Sequence, residues 1–139
     1  DKLKVKNAWN IWAGLAFEAI CYDHLPQIVR ALSLSPTAIP DSWRYVPRKK
    51  DGKEGAQIDL LFDRDDNSIT ICEIKYNDKP FVITKDYANK LRKKIDIFKM
   101  VTRTNKQIFI VMITANGVKE NQYSKDLIVA TVTLDDLFK

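Results

Sequence analysis

The stretch Gln57-Ile-Asp-Leu-Leu-Phe-Asp63, followed after a short polar turn by Ile69-Thr-Ile-Cys-Glu-Ile-Lys-Tyr76, decides the fold of this chain. Both segments are rich in aliphatic residues and flank a turn, a pattern that predicts two paired β-strands. Because side chains alternate along a strand, the first strand is expected to have an apolar face made of Ile58, Leu60 and Phe62. Its other face is expected to carry Gln57, Asp59, Leu61 and Asp63.

The length of the turn decides which residues of the two strands face each other. A loop of three residues (65–67) or five (64–68) places Asp59 opposite Glu73, whereas a two-residue loop places Asp59 opposite Ile74. Directly opposed residues share a face and approach to about 5 Å between Cβ atoms. In the odd-length register the two carboxylates therefore converge. The pairs expected on the apolar side are then Ile58–Ile74 and Leu60–Cys72.

Two converging carboxylates indicate a bound cation. They repel each other unless a proton or a cation lies between them, and their hard oxygen atoms suit Mg²⁺ or Mn²⁺. Lys75 is expected on the same strand face as Glu73, roughly 6.5–7 Å farther along. Its ammonium group could orient or help to deprotonate an attacking water, or neutralise the charge that develops on a phosphate.

A solvated strand face is the alternative for these residues, because acids and lysines are common on such faces. Glu73 lies within the largely apolar segment 69–74, however, and Asp59 lies within the otherwise apolar segment 58–62. A charge without a partner would be costly in either place. The hairpin register also brings the two acids together, so the pattern favours a site.

Length and composition indicate one domain that spans residues 1–139. A chain of 139 residues can bury a core without disulfides, and 45% of its residues are hydrophobic. The formal net charge of +5 is compatible with a phosphate-bearing partner but does not require one. The two cysteines, Cys21 and Cys72, cannot form a disulfide framework or a zinc site.

The sequence also predicts where in the cell the protein is found. No segment reaches the roughly 18 apolar residues of a membrane span, and no signal peptide is recognisable. We therefore expect a cytoplasmic protein that does not bind a membrane. The chain begins at Asp1 rather than at a methionine, so we expect it to be a piece of a longer protein.

Periodicity predicts helices over residues 7–25, 26–32 and 84–101. The expected strands are 43–46, 57–63, 69–76, 107–113 and 127–133. The last two are continuous apolar runs, as expected of strands that are buried on both faces. This order of elements predicts an α/β fold with a mixed central sheet flanked by helices.

The first helix carries an acid within an apolar stripe. Ile11, Leu15, Glu18 and Tyr22 recur at helical spacing, which places Glu18 on the apolar face of the helix. A role beside the two strand acids and a polar contact under the apolar face are equal alternatives for this residue.

The order of elements and motifs resembles a known nuclease family. A helix with a glutamate, strands with D…ExK, a basic helix and a further strand resemble the αβββαβ core of the PD-(D/E)XK superfamily, whose fold is restriction-endonuclease-like. Four segments are similar to the nuclease-like C-terminal domain, of the DUF234 type, of archaeal-type and Bacteroides AAA-family ATPases. These segments are Gly14-Leu-Ala-Phe-Glu-Ala-Ile-Cys-Tyr-Asp-His24, Gly55-Ala-Gln-Ile-Asp-Leu-Leu61, Cys72-Glu-Ile-Lys75 and Phe81-Val-Ile-Thr-Lys-Asp-Tyr87.

The resemblance implies a role for each candidate site residue. Asp59 and Glu73 would bind a metal ion together with the main-chain carbonyl of Ile74, and Lys75 would be the catalytic lysine. Glu18 matches an acid that many members have on their first helix, where it would bind the metal or a water, or hold Lys75. Gln57 stands where other members have a proline or a glutamate. It is expected to form hydrogen bonds at the strand edge rather than to bind the metal.

The resemblance also implies binding partners, a substrate and a cofactor. A P-loop ATPase module would precede this domain in the full-length protein, although this chain contains no G-x-x-x-x-G-K-[ST] motif of its own. Many nucleases of this type form dimers, so the resemblance allows a homodimer. DNA is the expected substrate, and Mg²⁺ or Mn²⁺ is the expected cofactor.

Basic residues supply candidates for contact with DNA. The lysines within residues 85–99 could follow a phosphate backbone, but a solvated helix face is the more common explanation of such spacing. A second basic group precedes the strand of Asp59 and is the better candidate. Its members are Arg44, Arg48, Lys49, Lys50 and Lys53.

Aromatic residues and the single histidine complete the candidates. Trp9, Trp12, Trp43 and Tyr45 could stack on bases, and Trp43 is preferred because helix tryptophans usually lie in a core. His24 is expected to be a helix-end residue rather than a catalytic base. The leading hypothesis is a Mg²⁺-dependent DNA endonuclease-like domain. The alternative is a non-cleaving nucleic-acid or protein interaction domain attached to an ATP-binding protein.

Overall fold

The computed structural model describes residues 1–52 and 54–139. The helices are α1 (Lys2–Asp23), α2 (Leu25–Ala31), α3 (Lys85–Thr102), α4 (Gln122–Leu127) and α5 (Leu134–Leu137). The strands are β1 (Ile39–Tyr45), β2 (Ala56–Asp63), β3 (Ser68–Lys75), β4 (Gln107–Thr114) and β5 (Ile128–Val132). A short 3-10 helix, Lys49–Asp51, lies between β1 and β2.

The described strands form one mixed sheet of five strands in the order β1-β2-β3-β4-β5. Strands β1, β2 and β3 are antiparallel neighbours, while β3, β4 and β5 run parallel to one another. Parallel neighbours need a crossover connection, and α3 supplies it between β3 and β4. The arrangement confirms the predicted α/β fold with a mixed sheet flanked by helices.

Helices cover both faces of the sheet and give it two apolar cores. The α1 core contains Cys72 of β3 together with Phe17 of α1 and Ile28 of α2. The α3 core contains Ile71 of β3 together with Leu91 and other residues of α3. Neighbouring residues of β3 thus enter different cores, as the alternation of a strand requires.

Helix α3 follows its sequence pattern closely. Thr84 caps it, and the Thr84 hydroxyl accepts a hydrogen bond of 3.1 Å from the Tyr87 amide. Leu91, Ile95 and Phe98 are buried on one stripe, as their spacing predicts. No helix of the described residues has both the length and the apolar character needed to cross a membrane.

Helix α1 faces the sheet with a different stripe from the predicted one. It begins at Lys2, earlier than the predicted start at residue 7, and its buried residues are Ala13, Phe17 and Cys21. Ile11 and Leu15 of the predicted stripe are exposed. The expectation that this stripe forms the packed face is wrong, because α1 has two apolar stripes and only one of them can contact the sheet. The other stripe is left in solvent.

Strand β5 lies at the edge of the sheet. The prediction of a strand over 127–133 that is buried on both faces is therefore wrong: Val129 is 61% exposed because no further strand or helix covers it among the described residues. Leu127 belongs to α4 instead. Asn121 starts this short helix with a side chain that accepts hydrogen bonds from two main-chain amides, a capping signal that apolar periodicity alone does not detect.

Strand β2 departs from the strict alternation that its sequence predicts. Leu60 and Phe62 lie in the α1 core, but Ile58 lies with Leu61 in the α3 core. The predicted apolar pair of Ile58 with Ile74 is therefore wrong, because Ile74 packs against the α1 core.

A β-bulge explains this departure. Between two matched pairs of the β1–β2 ladder, β2 has two residues, Asp59 and Leu60, where β1 has only Ser42. The extra residue interrupts the ladder and sends the preceding side chain to the other face of the sheet. The bulge thus lies at the acid that the sequence singles out.

Candidate functional site

The β2–β3 hairpin has the odd-length register that the sequence favours. Leu60 pairs with Cys72 at the far end of its ladder. The Arg64 amide donates a hydrogen bond of 3.0 Å to the Ser68 carbonyl oxygen, which closes a three-residue loop. Asn67 supplies the left-handed conformation (φ 61°) that such a loop uses.

Asp59 and Glu73 directly follow the last pair of this ladder and are not themselves paired. The ladder ends at Leu60 and Cys72, one position short of the two acids, because the bulge in β2 begins at Asp59. The matched register of the hairpin therefore does not extend to the two acids. Their side-chain partners differ, and those partners divide the predicted site into two parts.

The first part is centred on Glu73, an acidic residue that as a whole is only 6% exposed. Its Oε1 atom accepts a hydrogen bond of 2.8 Å from the ammonium group of Lys94 on α3. Lys94 is one of the α3 lysines that were expected to lie on a solvated helix face. Its spacing of three residues from Leu91 and four from Phe98, both buried, is the signal that could have found it, since that spacing places a residue near the buried stripe.

Lys75 lies on the same side of the sheet as Glu73. Its Nζ atom is 5.6 Å from the centre of the Tyr87 ring on α3, within range of a cation–π contact. Burial, and then the negative charge of Glu73, raise the pKa of the Tyr87 hydroxyl. Tyr87 therefore stays protonated between the lysine and the acid, a role that the sequence did not reveal.

Thr114 adjoins this group from β4. It is opposite Lys75 in the β3–β4 register and fully buried. Its hydroxyl oxygen has no hydrogen-bond partner among the described residues. A buried hydroxyl of this kind is an unsatisfied polar group beside the predicted catalytic lysine.

The second part of the site joins Asp59 to Glu18 through Tyr22. The Tyr22 hydroxyl lies 2.9 Å from the main-chain oxygen of Asp59 and 3.2 Å from Oε1 of Glu18. Burial, and then the charges of Glu18 and Asp59, raise the pKa of Tyr22. Asp59 Oδ1 also accepts a hydrogen bond of 2.7 Å from Gln57 Nε2. Gln57 thus forms a hydrogen bond at the strand edge, as expected.

The donor atoms are of the type that Mg²⁺ takes. Asp59, Glu73 and the carbonyl of Ile74 offer oxygen atoms only, which suit a hard divalent cation. The described residues contain no group of three or more His, Cys, Asp or Glu side chains placed to hold one ion. The structure therefore does not group Glu18 with the other two acids, and its metal role stays a prediction.

The basic group lies next to Asp59 along β2. Arg44 of β1 pairs with Gln57 of β2, and Arg44, Arg48, Lys49 and Lys50 are all exposed. Lys53, the fifth predicted member, lies outside the described residues. A cleft of about 480 Å³ beside Arg44 is lined partly by Gln57. The four described cations are thus accessible to a phosphate backbone near the second part of the site.

Several lysines of α3 are engaged with protein acids instead. Lys93 binds Glu54 at 2.8 Å, and Lys94 binds Glu73. Arg92 of the same helix binds Asp126 at 2.8 Å. These pairs leave fewer α3 cations for a phosphate backbone.

The tryptophans differ from expectation in which of them are exposed. Trp43 packs edge-to-face on Phe98 with ring centres 5.0 Å apart and belongs to the α3 core. Trp9 and Trp12 of α1 are exposed. The expectation that the helix tryptophans lie in the core, on which the preference for Trp43 rests, is therefore wrong. His24 ends α1, and its Nδ1 lies 2.7 Å from the carbonyl oxygen of Ile20, as expected of a helix-end residue.

Comparison with known proteins identifies no relative of this chain. No protein-family model matches it, and no curated protein or solved structure is significantly similar to it. The resemblance to PD-(D/E)XK nucleases therefore stays a prediction from the sequence.

Proposed function

We propose that this chain is a Mg²⁺-dependent nuclease-like domain that hydrolyses phosphodiester bonds in DNA. The observation that carries the proposal is the buried carboxylate of Glu73, with Lys75 two residues farther along the same face of β3. Buried carboxylates occur in ion pairs and at chemical sites, and Glu73 has both the partner Lys94 and a second lysine, Lys75, on its own strand face. Asp59, one residue beyond the last matched pair of the β2–β3 ladder, is the second acid of the proposed site.

Each residue has a role in this proposal. Asp59, Glu73 and the carbonyl of Ile74 would hold the ion, which when bound supplies Lewis-acid polarisation of a phosphate oxygen. The Lys75 ammonium group would neutralise the charge that develops on the phosphate during hydrolysis. Glu18 would act through Tyr22, which holds the main chain at Asp59.

The proposed partners follow from the surface beside the site. The exposed cations Arg44, Arg48, Lys49 and Lys50 would bind the DNA backbone, and their contacts would weaken as salt rises. In the full-length cytoplasmic protein a P-loop ATPase module would precede this domain, and two domains would be able to act as a homodimer.

Metal-dependent cleavage of DNA tests the proposal. Supercoiled plasmid, linear duplex and single-stranded DNA are incubated with the protein in Mg²⁺, Mn²⁺ or EDTA. The variants are Lys75→Ala and Glu73→Gln, with Lys125→Ala as the control because that lysine is 68% exposed on α4. We expect cleavage in Mg²⁺ that falls about 100-fold or more in Lys75→Ala and is unchanged in the control. Equal cleavage by the wild type and Lys75→Ala would refute the role of the lysine.

A non-cleaving nucleic-acid or protein interaction domain is the second candidate. The ion pair of Lys94 with Glu73 favours it, because an ammonium group already neutralises the buried acid. Salt-sensitive DNA binding without cleavage, lost in a Lys49→Ala/Lys50→Ala double variant, would support this candidate over the nuclease.

A further inference from the structure

We propose that a cleft between α1 and the segment after β3 binds single-stranded nucleic acid. The cleft has a volume of about 520 Å³ and is lined by Lys6 and Trp9 of α1 on one side and by Tyr76 and Lys79 on the other. Aromatic side chains in such a cleft stack on bases, while lysines contact phosphates. The inference rests on the proposed function, since it names the form of nucleic acid that the domain takes.

The exposed surface of α1 includes several large apolar side chains, although the exposed faces of helices are usually polar. Only Ala13, Phe17 and Cys21 of this helix are buried, and all residues up to Ile11 and Trp12 lie in solvent. Exposed apolar patches mark places where another molecule binds. The large exposed apolar residues in the middle of this helix are Trp9, Ile11, Trp12 and Leu15.

Two indole rings dominate this surface. Trp9 and Trp12 are 57% and 60% exposed. Their ring centres are 5.2 Å apart, and their planes are inclined by 33°. Every base has a flat face on which an exposed indole can stack, so such binding tolerates any sequence. Bases within a duplex are stacked on each other, and the indoles therefore reach them only in a single strand.

Positive charge surrounds the cleft. Lys6 and Lys79 line it, and Asp78 is the only acid among the described residues that do. Lys2 and Lys4 continue the charge along α1. None of these four lysines forms an ion pair with another described residue. Their ammonium groups are thus available to replace the counterions of a phosphate backbone.

Amide side chains distinguish a nucleic acid from an acidic protein surface as the occupant. Asn10 and Asn77 line the same cleft as Trp9. Amides can donate to and accept from the edges of unpaired bases, which combine a flat face with hydrogen-bonding edges. Lysines alone would suit any acidic partner, but indoles, amides and lysines together suit a single strand.

Tyr76 connects the cleft to the proposed catalytic strand. It directly follows Lys75 at the end of β3. Its ring is 6.1 Å from that of Phe17, which anchors α1 in the core. A single strand held in the cleft would therefore lie beside the end of β3 that carries Lys75.

Fluorescence anisotropy with labelled oligonucleotides in EDTA tests this binding without cleavage. The probes are a dT12 strand, a U12 strand and a 12-base-pair duplex. We expect the Trp9→Ala variant to bind dT12 about 5- to 100-fold more weakly than the wild type, and Trp9→Phe to retain most of the affinity. A Lys6→Ala/Lys79→Ala double variant should reduce the slope of log affinity against log salt by about 1.4, or 0.7 for each phosphate contact.

Matched controls separate the cleft from the rest of the helix. Leu3→Ala removes an exposed apolar residue of α1 that lies outside this apolar patch and does not line the cleft, and it should bind dT12 like the wild type. Circular dichroism should give the same melting temperature for Trp9→Ala and the wild type. Unchanged binding of dT12 by Trp9→Ala would overturn the inference. The inference would also be overturned if the wild type bound no oligonucleotide but sedimented as a dimer that Trp9→Ala dissociates. The exposed surface of α1 would then contact a second copy of the chain.

The experiments can refute the nuclease proposal and the single-strand cleft separately. Binding of dT12 that depends on Trp9, without any cleavage in Mg²⁺ or Mn²⁺, would refute the nuclease and keep the cleft. Cleavage that depends on Lys75 but is unaffected by Trp9→Ala on single-stranded substrate would keep the nuclease and refute the cleft. The dT12 and U12 probes show whether the cleft prefers DNA or RNA.

Discussion

Lys94 of α3 and Glu73 of β3 form an ion pair across the interface between helix and sheet, with Nζ 2.8 Å from Oε1. The carboxylate side chain is 8% exposed and the lysine side chain 28% exposed. A buried charge that loses its partner is strongly destabilising, more than the intact pair is stabilising. The pair therefore links the stability of the crossover helix to the proposed site.

Replacement of Lys94 tests this link. Lys94→Met keeps the apolar stem but leaves Glu73 without its cation, so we expect the free energy of unfolding to fall by about 1–3 kcal/mol. Urea denaturation followed by circular dichroism measures the change. A Glu73→Gln/Lys94→Met double variant should recover part of the loss, because the buried charge is gone.

Lys93 is the matched control on the same helix. It pairs with Glu54 at 2.8 Å, but both side chains are more than half exposed. Exposed ion pairs contribute little in water, so Lys93→Met should change the free energy of unfolding by less than about 0.5 kcal/mol. Equal losses of unfolding free energy in Lys93→Met and Lys94→Met would show that the ion pair with Glu73 stabilises the fold no more than an exposed ion pair.

Metal binding and Lys94 should compete for Glu73 if the proposed function is correct. Removal of the lysine leaves the carboxylate free for a divalent cation. Millimolar Mg²⁺ or Mn²⁺ should therefore raise the melting temperature of Lys94→Met more than that of the wild type, since a ligand that binds only the folded state stabilises it. An Asp59→Asn/Lys94→Met variant should lose this gain. The same shift in all three proteins would argue against a metal site at these acids.

Two glycines should respond in opposite ways to alanine. A Cβ atom on Gly55, directly before β2, would lie 2.7 Å from the Tyr45 carbonyl oxygen, a contact that forces the main chains apart. We expect Gly55→Ala to destabilise the protein by about 1–3 kcal/mol. Gly14 lies within α1 and has open space around the new Cβ. Gly14→Ala should stabilise by about 0.5–1 kcal/mol, and thermal melting of both variants measures the contrast.

Alkaline pH should weaken the fold through buried acids such as Cys21. Burial, and then the charge of Glu18, raise the pKa of the Cys21 thiol from 9.0 to about 12. The folded protein thus keeps a proton that the unfolded chain loses, so the stability from this group is full below pH 9 and declines as pH rises toward 12. The same direction holds for the raised pKa values of Cys72, Tyr22 and Tyr87.

Urea denaturation at pH 7 and at pH 10.5 measures this effect. Cys21→Ala should be less stable than the wild type at pH 7, because it leaves a small cavity. The difference should shrink at pH 10.5, where the wild-type thiol has lost part of its contribution. A difference that is constant with pH would contradict the assignment to Cys21.

Local patterns in the sequence determined most of the helices and strands and the mixed type of the sheet. The cap at Thr84 and the stripe of Leu91, Ile95 and Phe98 suffice to place α3, because capping and helical spacing involve residues close in the chain. The odd-length hairpin loop places Leu60 opposite Cys72 for the same reason, since turn length sets register. Glu73 and Lys75 on one face of β3 follow from strand alternation alone.

Tertiary structure alone decided which of several similar surfaces is packed in the core and which side chains become partners. The sequence offers two apolar stripes on α1, and only packing against the sheet buries Phe17 and leaves Trp9 and Trp12 exposed. The β-bulge at Asp59 depends on the pairing of β2 with β1, a contact between distant residues. The partner of Glu73 is decided by the packing of α3 on β3, which places Lys94 beside a buried acid. Such choices depend on contacts between distant segments, whose spacing along the chain carries no signal of its own.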